Sequence, residues 1–247
     1  MGLLFLNISV NLAADQKNQI SHPMKRLDLS SKKLDTHLIT QFFKSSNKRD
    51  ASLGPRYHVF ETYANWESIF VDSLATLKPQ YHNLVCYNFI TNLCSTIEVY
   101  LRELIVHNEA NWNKLNYNEL LADKITLENA YKLFKEANVT RETIIARHNS
   151  FNSVANILHV LSKLTCDSFE QEVENFEIFS THPTTMKELH PDWKGMLNTL
   201  ITERNKIVHE GIHTITLDPK FVRTLGVVVF IFMYSVDHYC TKNKFSK

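Results

Sequence analysis

The chain has 247 residues, 44% of them hydrophobic and 21% charged, a globular composition that excludes a disordered or fibrous protein. Lys+Arg 27 against Asp+Glu 26 leaves a formal charge of +1, which excludes a global positive field of the kind that coats nucleic acid and leaves only a local basic patch open. Five Gly and six Pro are too few for turn-rich sandwiches, barrels or glycine-cradled nucleotide folds, so the composition points to helices.

Met1 to Ala14 is apolar but has no Lys or Arg ahead of its hydrophobic stretch, which makes it a poor signal peptide. Leu6 stands where a myristoylation signal following Gly2 needs Ser or Thr. Residues 1–55 read as an N-terminal extension in which Leu34, Leu38, Phe42 and Phe43 pattern one short amphipathic helix. Counting Arg56 at its border, this extension carries nine Lys/Arg against four Asp and no Glu, a charge that either solvates the segment or lays it against a polyanion. Gly54-Pro55 marks its boundary with a domain over 56–247.

Helical spacing dominates from Tyr57. Phe60, Tyr63, Ile69/Phe70 and Leu74 predict one helix, ended by Pro79. A long helix follows over 81–108, with Cys86, Ile90, Leu93, Ile97, Leu101, Leu104 and Ile105 as its inward stripe. Residues 120–137 predict a more polar helix. Thr140 is the expected N-cap of the next, which is read as running to about Leu164 with Ile144, Phe151, Val154, Ile157, Leu158 and Leu161 inward. Phe169, Val173 and Phe176 suggest a small amphipathic element in the acidic stretch 167–179, and Pro183 and Pro191 mark a connector.

The penultimate helix is predicted to start near Asp192, with Trp193, Met196, Leu197, Leu200, Ile201 and Val208 in register and Gly211 as its cap. Asp218-Pro219 reads as an N-cap with Pro at the first helical position, opening the last helix. Its apolar run, Thr224 to Val236, has thirteen residues and spans about 20 Å as a helix, short of the roughly 30 Å of hydrocarbon in a bilayer. A core helix or a subunit interface is therefore expected, in a soluble cytoplasmic protein without membrane contact. The expected fold is all-α, an up-and-down helical bundle. Cys86, Cys94, Cys166 and Cys240 show no CxxC spacing and read as free thiols in a reducing compartment.

No glycine-rich phosphate loop, GxSxG or HExxH motif is present, and His209 and His213 straddle Gly211 where a helical metal pair would be broken, so neither metal nor cofactor is expected. One segment, Glu203 to Gly211 (ERNKIVHEG), carries chemistry. Arg204 falls on the inward stripe of its helix, where a guanidinium needs an anion or a carboxylate. Asn205 and His209, four apart, lie within about 40° on one face, whereas Arg204 is about 140° from His209 on a regular helix. The two converge only if the side chains sweep round, if the last turn relaxes, or if a second copy of the chain completes the site.

Arg204-Asn205-x-x-x-His209, at the end of a penultimate helix and before a long apolar one, resembles the R-x4–6-H motif of the HEPN superfamily, in which a polar residue follows the Arg. The stretch Ser95 to Leu104, with Glu98 among apolar residues, is similar to the first core helix of several HEPN groups. The resemblance covers about residues 82–240; it leaves the extension aside and makes the 117–137 helix an insertion.

The resemblance implies a HEPN-like bundle that dimerises and a metal-independent endoribonuclease, a toxin or antiphage effector restrained by an antitoxin or regulatory partner protein. Its substrate is RNA. Arg204, His209 and Asn205 become the catalytic set, Glu98 the group orienting Arg204, and Lys206 and Arg102 substrate contacts. The chemistry suits these residues. A ribose 2′-OH attacks its neighbouring phosphate to leave a 2′,3′-cyclic end; an imidazole carries the proton, and a guanidinium faces the charge growing on the phosphorane. Asn205 either holds a phosphate oxygen or fixes the His209 tautomer. Gly211 occupies the position where some HEPN toxins carry a nucleotidylated Tyr, which speaks against that mode of control.

Plainer readings stand beside these. Arg204 as a scaffold residue with His209 favoured by the helix dipole, Glu98 and Arg102 as a surface ion pair, and Glu203 and Lys206 as solvent charges all fit the same residues. At the level of function, the alternative is a non-catalytic HEPN-like module that binds nucleotide, RNA or a partner protein.

Overall fold

A computed structural model describes residues 57–121, 126, 131, 135, 139–177, 185–210 and 216–245. The short helix expected at 34–43, the Gly54-Pro55 boundary, the Gly211 cap, His213 and most of the 120–137 helix lie outside these residues. The regular structure of the described residues is helical, with a single isolated bridge between Glu177 and Thr185, so the all-α class holds. The helices are α1 (Tyr57–Thr76), α2 (His82–His107), α3 (Tyr117–Leu121), α4 (Arg141–His148), α5 (Val154–Leu164), α6 (Phe169–Glu174), α7 (Met186–Leu189), α8 (Trp193–Glu210) and α9 (Pro219–Lys242).

The chain divides into two compact units, one reaching as far as Leu93 and including Glu203–Phe230, the other made of Cys94–Thr202 and Ile231–Lys247. The divisions fall inside α2, α8 and α9, not in linkers.

In the first unit, α1 buries Val59, Phe60, Tyr63, Ala64, Glu67 and Phe70 at three- and four-residue spacing. Phe70 stacks on Phe89 of α2 at 4.4 Å, and Tyr63 lies 5.4 Å from Phe230 of α9. Of the Ile69/Phe70 pair, Phe70 faces inward and Ile69 is exposed. Asp218 caps α9 through the Lys220 amide at 3.1 Å, with Pro219 opening the helix, and Asn83 Oδ1 accepts the Leu217 amide.

Gly226 gives α9 a close approach to its neighbours: a Cβ there would stand 3.0 Å from the Phe89 ring and 3.6 Å from the Tyr63 hydroxyl. Gly226→Leu is therefore expected to cost about 1–3 kcal/mol by overpacking, seen as a fall in melting temperature of roughly 2–12 °C. An unchanged thermal melt would contradict this close approach.

In the second unit, Ile97, Leu101, Leu104 and Ile105 of the α2 stripe are buried as expected, the last two at 0% exposure. Trp112 donates to the Ile105 carbonyl, and Asn108 donates to the Cys240 carbonyl near the end of α9. Trp193 of α8 stacks on Phe232 at 5.7 Å, and Phe169 and Phe176 both meet Tyr239 edge-on. The Tyr239 hydroxyl donates to Glu172 at 2.6 Å; the Ser168 hydroxyl first and this bond second hold the Glu172 carboxyl below its ordinary range.

Two expectations need correction. The helix expected from Thr140 to about Leu164 is two helices. Thr140 does cap the first through the Thr143 amide, but Asn149 closes it by donating to the Ile145 carbonyl, and Ser153 caps α5 through the Asn156 amide. The apolar spacing runs in register across the break, which hides it.

The terminal helix is also longer than its apolar run, with 24 residues and a length of about 36 Å, so by length and composition it can cross a membrane. The length argument against a span therefore fails. Burial is the informative observation: residues 225–240 are all buried, including Ser235, Asp237 and His238.

Candidate functional site

The motif lies on the last two turns of α8, in the first unit. A carboxylate opens this helix. A Cβ at Gly195 would collide with the Asp192 carboxylate, so the bare glycine lets Asp192 close over the first turn, where negative charge suits the helix dipole. Trp193, Leu197, Leu200 and Ile207 are buried. Val208, expected inward, is 53% exposed. Taking Trp193 as zero, Ile207 falls at about −40° and Val208 at about +60°, so the buried stripe turns toward Ile207 in the final turns.

α8 continues as helix through Glu210, so the last turn does not relax at His209. On the same scale Arg204 roots at about +20°, Asn205 at +120° and His209 at +160°. The guanidinium does not stay on the inward stripe: Arg204 Nη1 donates to Asn205 Oδ1 at 3.1 Å. That bond draws the charged head round toward the face that Asn205 shares with His209. Arg204 and Asn205 are half-buried and His209 is exposed. Of the three routes to convergence, a relaxed last turn is not seen, and the Arg204 side chain sweeps as far as Asn205.

The supporting residues divide differently. Lys206, assigned to substrate, is held by Glu203 at 2.7 Å, so its charge is already matched. Glu203 is more enclosed than a solvent charge, with its side chain 13% exposed and Oε2 buried without a partner. Glu98 pairs with Arg102 at 3.6 Å along α2, both side chains being well exposed, and Arg204 takes Asn205. The surface ion pair is thus the reading of Glu98 and Arg102 that the contacts carry, and such pairs contribute little.

Sequence reasoning missed a buried ion pair in the same unit. Glu67 on α1 is 2% exposed and accepts from Arg223 Nε on α9 at 3.2 Å. Glu67 Oε2 and Arg223 Nη2 are buried without partners. Burial pushes the Glu67 carboxyl up despite Arg223, and with the nearby Glu67 charge it holds the Tyr63 hydroxyl well above its ordinary value. The signal was present in the spacing, since Glu67 is four residues from Tyr63 and three from Phe70 on the inward face.

Among the described residues, no group of three or more His, Cys, Asp or Glu is placed to hold a metal ion, and none of the four cysteines is in a disulfide. No protein-family model, curated protein or solved structure matches the chain.

Proposed function

We propose that this protein is a HEPN-type, metal-independent endoribonuclease acting through Arg204, Asn205 and His209. The observation that carries the reading is the Arg204–Asn205 hydrogen bond, which turns a guanidinium from the buried stripe toward the face of a solvent-exposed imidazole. A scaffold arginine would be expected to end in a buried carboxylate, as Arg223 does on Glu67.

In this scheme His209 takes the proton of the ribose 2′-OH as its oxygen attacks phosphorus. Arg204 faces the equatorial oxygens of the phosphorane, and the departing 5′-oxygen receives a proton from a second imidazole. One chain offers one such His209, so the scheme calls for a homodimer with paired motifs. A half-exposed Val208 beside His209 supplies apolar surface for that contact. The cellular role that fits is a cytoplasmic toxin or antiphage effector under a partner protein.

The test is incubation of purified protein with RNA in excess EDTA. Cleavage leaving 2′,3′-cyclic phosphate ends is expected; RNA bound but intact would favour the non-catalytic binding module instead.

A further inference from the structure

We propose that one end of the first unit binds single-stranded RNA, stacking unpaired bases on Tyr81 and Phe221 and holding phosphates with Lys78 and Lys220. The inference rests on the ribonuclease reading above and deepens it: it names the form of RNA taken and a subsite outside the Arg204–His209 segment.

Three aromatic side chains are exposed among the described residues, Tyr81, Tyr131 and Phe221. Tyr131 carries Lys135 over its ring at 4.8 Å. Tyr81 and Phe221, 46% and 37% exposed, meet no ring or cation. Both belong to one end of the unit. His82 Nε2 donates to the Leu77 carbonyl at 3.1 Å and the Tyr81 amide to the Lys78 carbonyl at 2.9 Å, so the turn from α1 into α2 is tight and keeps Lys78 close to Tyr81. Asn83 Oδ1 accepts the Leu217 amide at 2.8 Å, which brings the start of α2 to the start of α9, where Lys220 and Phe221 stand. The motif is within reach of this end, because Glu210 is six residues from Thr216, a span of no more than about 22 Å.

Charge selects the occupant. Lys78 and Lys220 are exposed, and neither pairs with a carboxylate among the described residues. Asp218 is turned to the Lys220 amide as the cap of α9. The N-termini of α2 and α9 both lie here, and each adds partial positive charge. Open aromatic faces flanked by cations suit a polyanion whose every unit carries a flat ring: bases stack on the rings and phosphates meet the lysines. A duplex keeps its bases stacked on one another, so the strand that uses these rings is unpaired.

The probe is a single-stranded RNA oligonucleotide with 2′-O-methyl groups throughout, which binds without being cut, beside the same sequence as a duplex; unmodified RNA reports cleavage. Tyr81→Leu and Phe221→Leu keep apolar surface and remove the flat ring, whereas Tyr81→Phe keeps the ring. Wild type is expected to prefer the single strand. Each Leu variant should bind it at least about fivefold more weakly, and Tyr81→Phe should match wild type. Lys78→Gln and Lys220→Gln should each lower the salt slope of binding by about one. Cleavage at saturating RNA should hold in all of them, since none touches the motif. These side chains are exposed, so melting curves should superimpose on wild type.

Leu variants that bind the single strand as wild type does overturn the inference and leave the ribonuclease reading intact. So does a duplex bound as tightly as the single strand. Leu variants that keep RNA binding but lose self-association overturn it in favour of a second copy on this surface. Wild type that binds without cutting defeats the catalytic reading, and the Leu variants still decide the subsite. Wild type that does not bind the single strand overturns the subsite outright.

Discussion

His209→Ala is expected to lower RNA cleavage in EDTA by at least about 100-fold, the lower end of what a positioned proton carrier contributes. Binding of non-cleavable RNA should change far less, because Arg204 and Asn205 keep their places in the variant. The fold should barely notice. His209 is exposed, and its contribution as a C-terminal helix residue is at most about 1 kcal/mol. That corresponds to roughly 2–4 °C in melting temperature for a chain of this size. The combination is diagnostic: activity lost, binding and melting kept. Cleavage that survives the substitution unchanged would exclude His209 from the chemistry.

The largest effect on stability is expected at Glu67. Glu67→Ala leaves the Arg223 guanidinium without its carboxylate, and breaking a buried pair from one side costs about 3–5 kcal/mol. Arg223 keeps 24% of its side chain exposed and can reach water, so the lower end applies, with a fall in melting temperature of at least about 6 °C. Replacing both partners by methionine should recover most of that loss, since apolar side chains of similar volume need no counter-charge. A double variant as unstable as Glu67→Ala would mean that the ion pair is not the source of the cost.

The same residue carries a pH signature. The folded chain holds the Glu67 proton more tightly than the unfolded chain, because burial raises its carboxyl above the ordinary 4.5. Its contribution to stability is therefore complete below that value and is lost as pH rises through the raised one. Glu172 acts in the opposite sense, its lowered carboxyl contributing above the ordinary range and losing that contribution in acid. Glu67→Gln should remove only the first trend, so wild type minus variant, followed by thermal melts between pH 4 and neutrality, isolates it.

Features decided within a few residues of one another were legible. Asp218-Pro219 opens α9 because the cap needs only its own side chain and the next turn, and Thr140 caps α4 for the same reason. The α2 stripe is a matter of one period repeated, and all its members are buried. The break between α4 and α5 was signalled by Asn149, Ser150, Asn152 and Ser153, but the apolar positions on either side stay in phase and mask it. At the motif, spacing put Arg204 on the inward stripe and His209 far from it, which is true of the helix and incomplete for the long side chain.

From its own order of residues this chain determined the helical class, most helix boundaries, and which short segment holds an Arg, an Asn and a His at the end of α8. Tertiary structure decided the rest. It chose Ile207 over Val208 for the interior, paired Glu67 with a residue 156 positions away, and sent the Arg204 guanidinium to Asn205. The reason is physical: periodicity reports where a Cβ starts, whereas the end point of a long charged side chain depends on which carboxylates and amides the packed helices leave within reach.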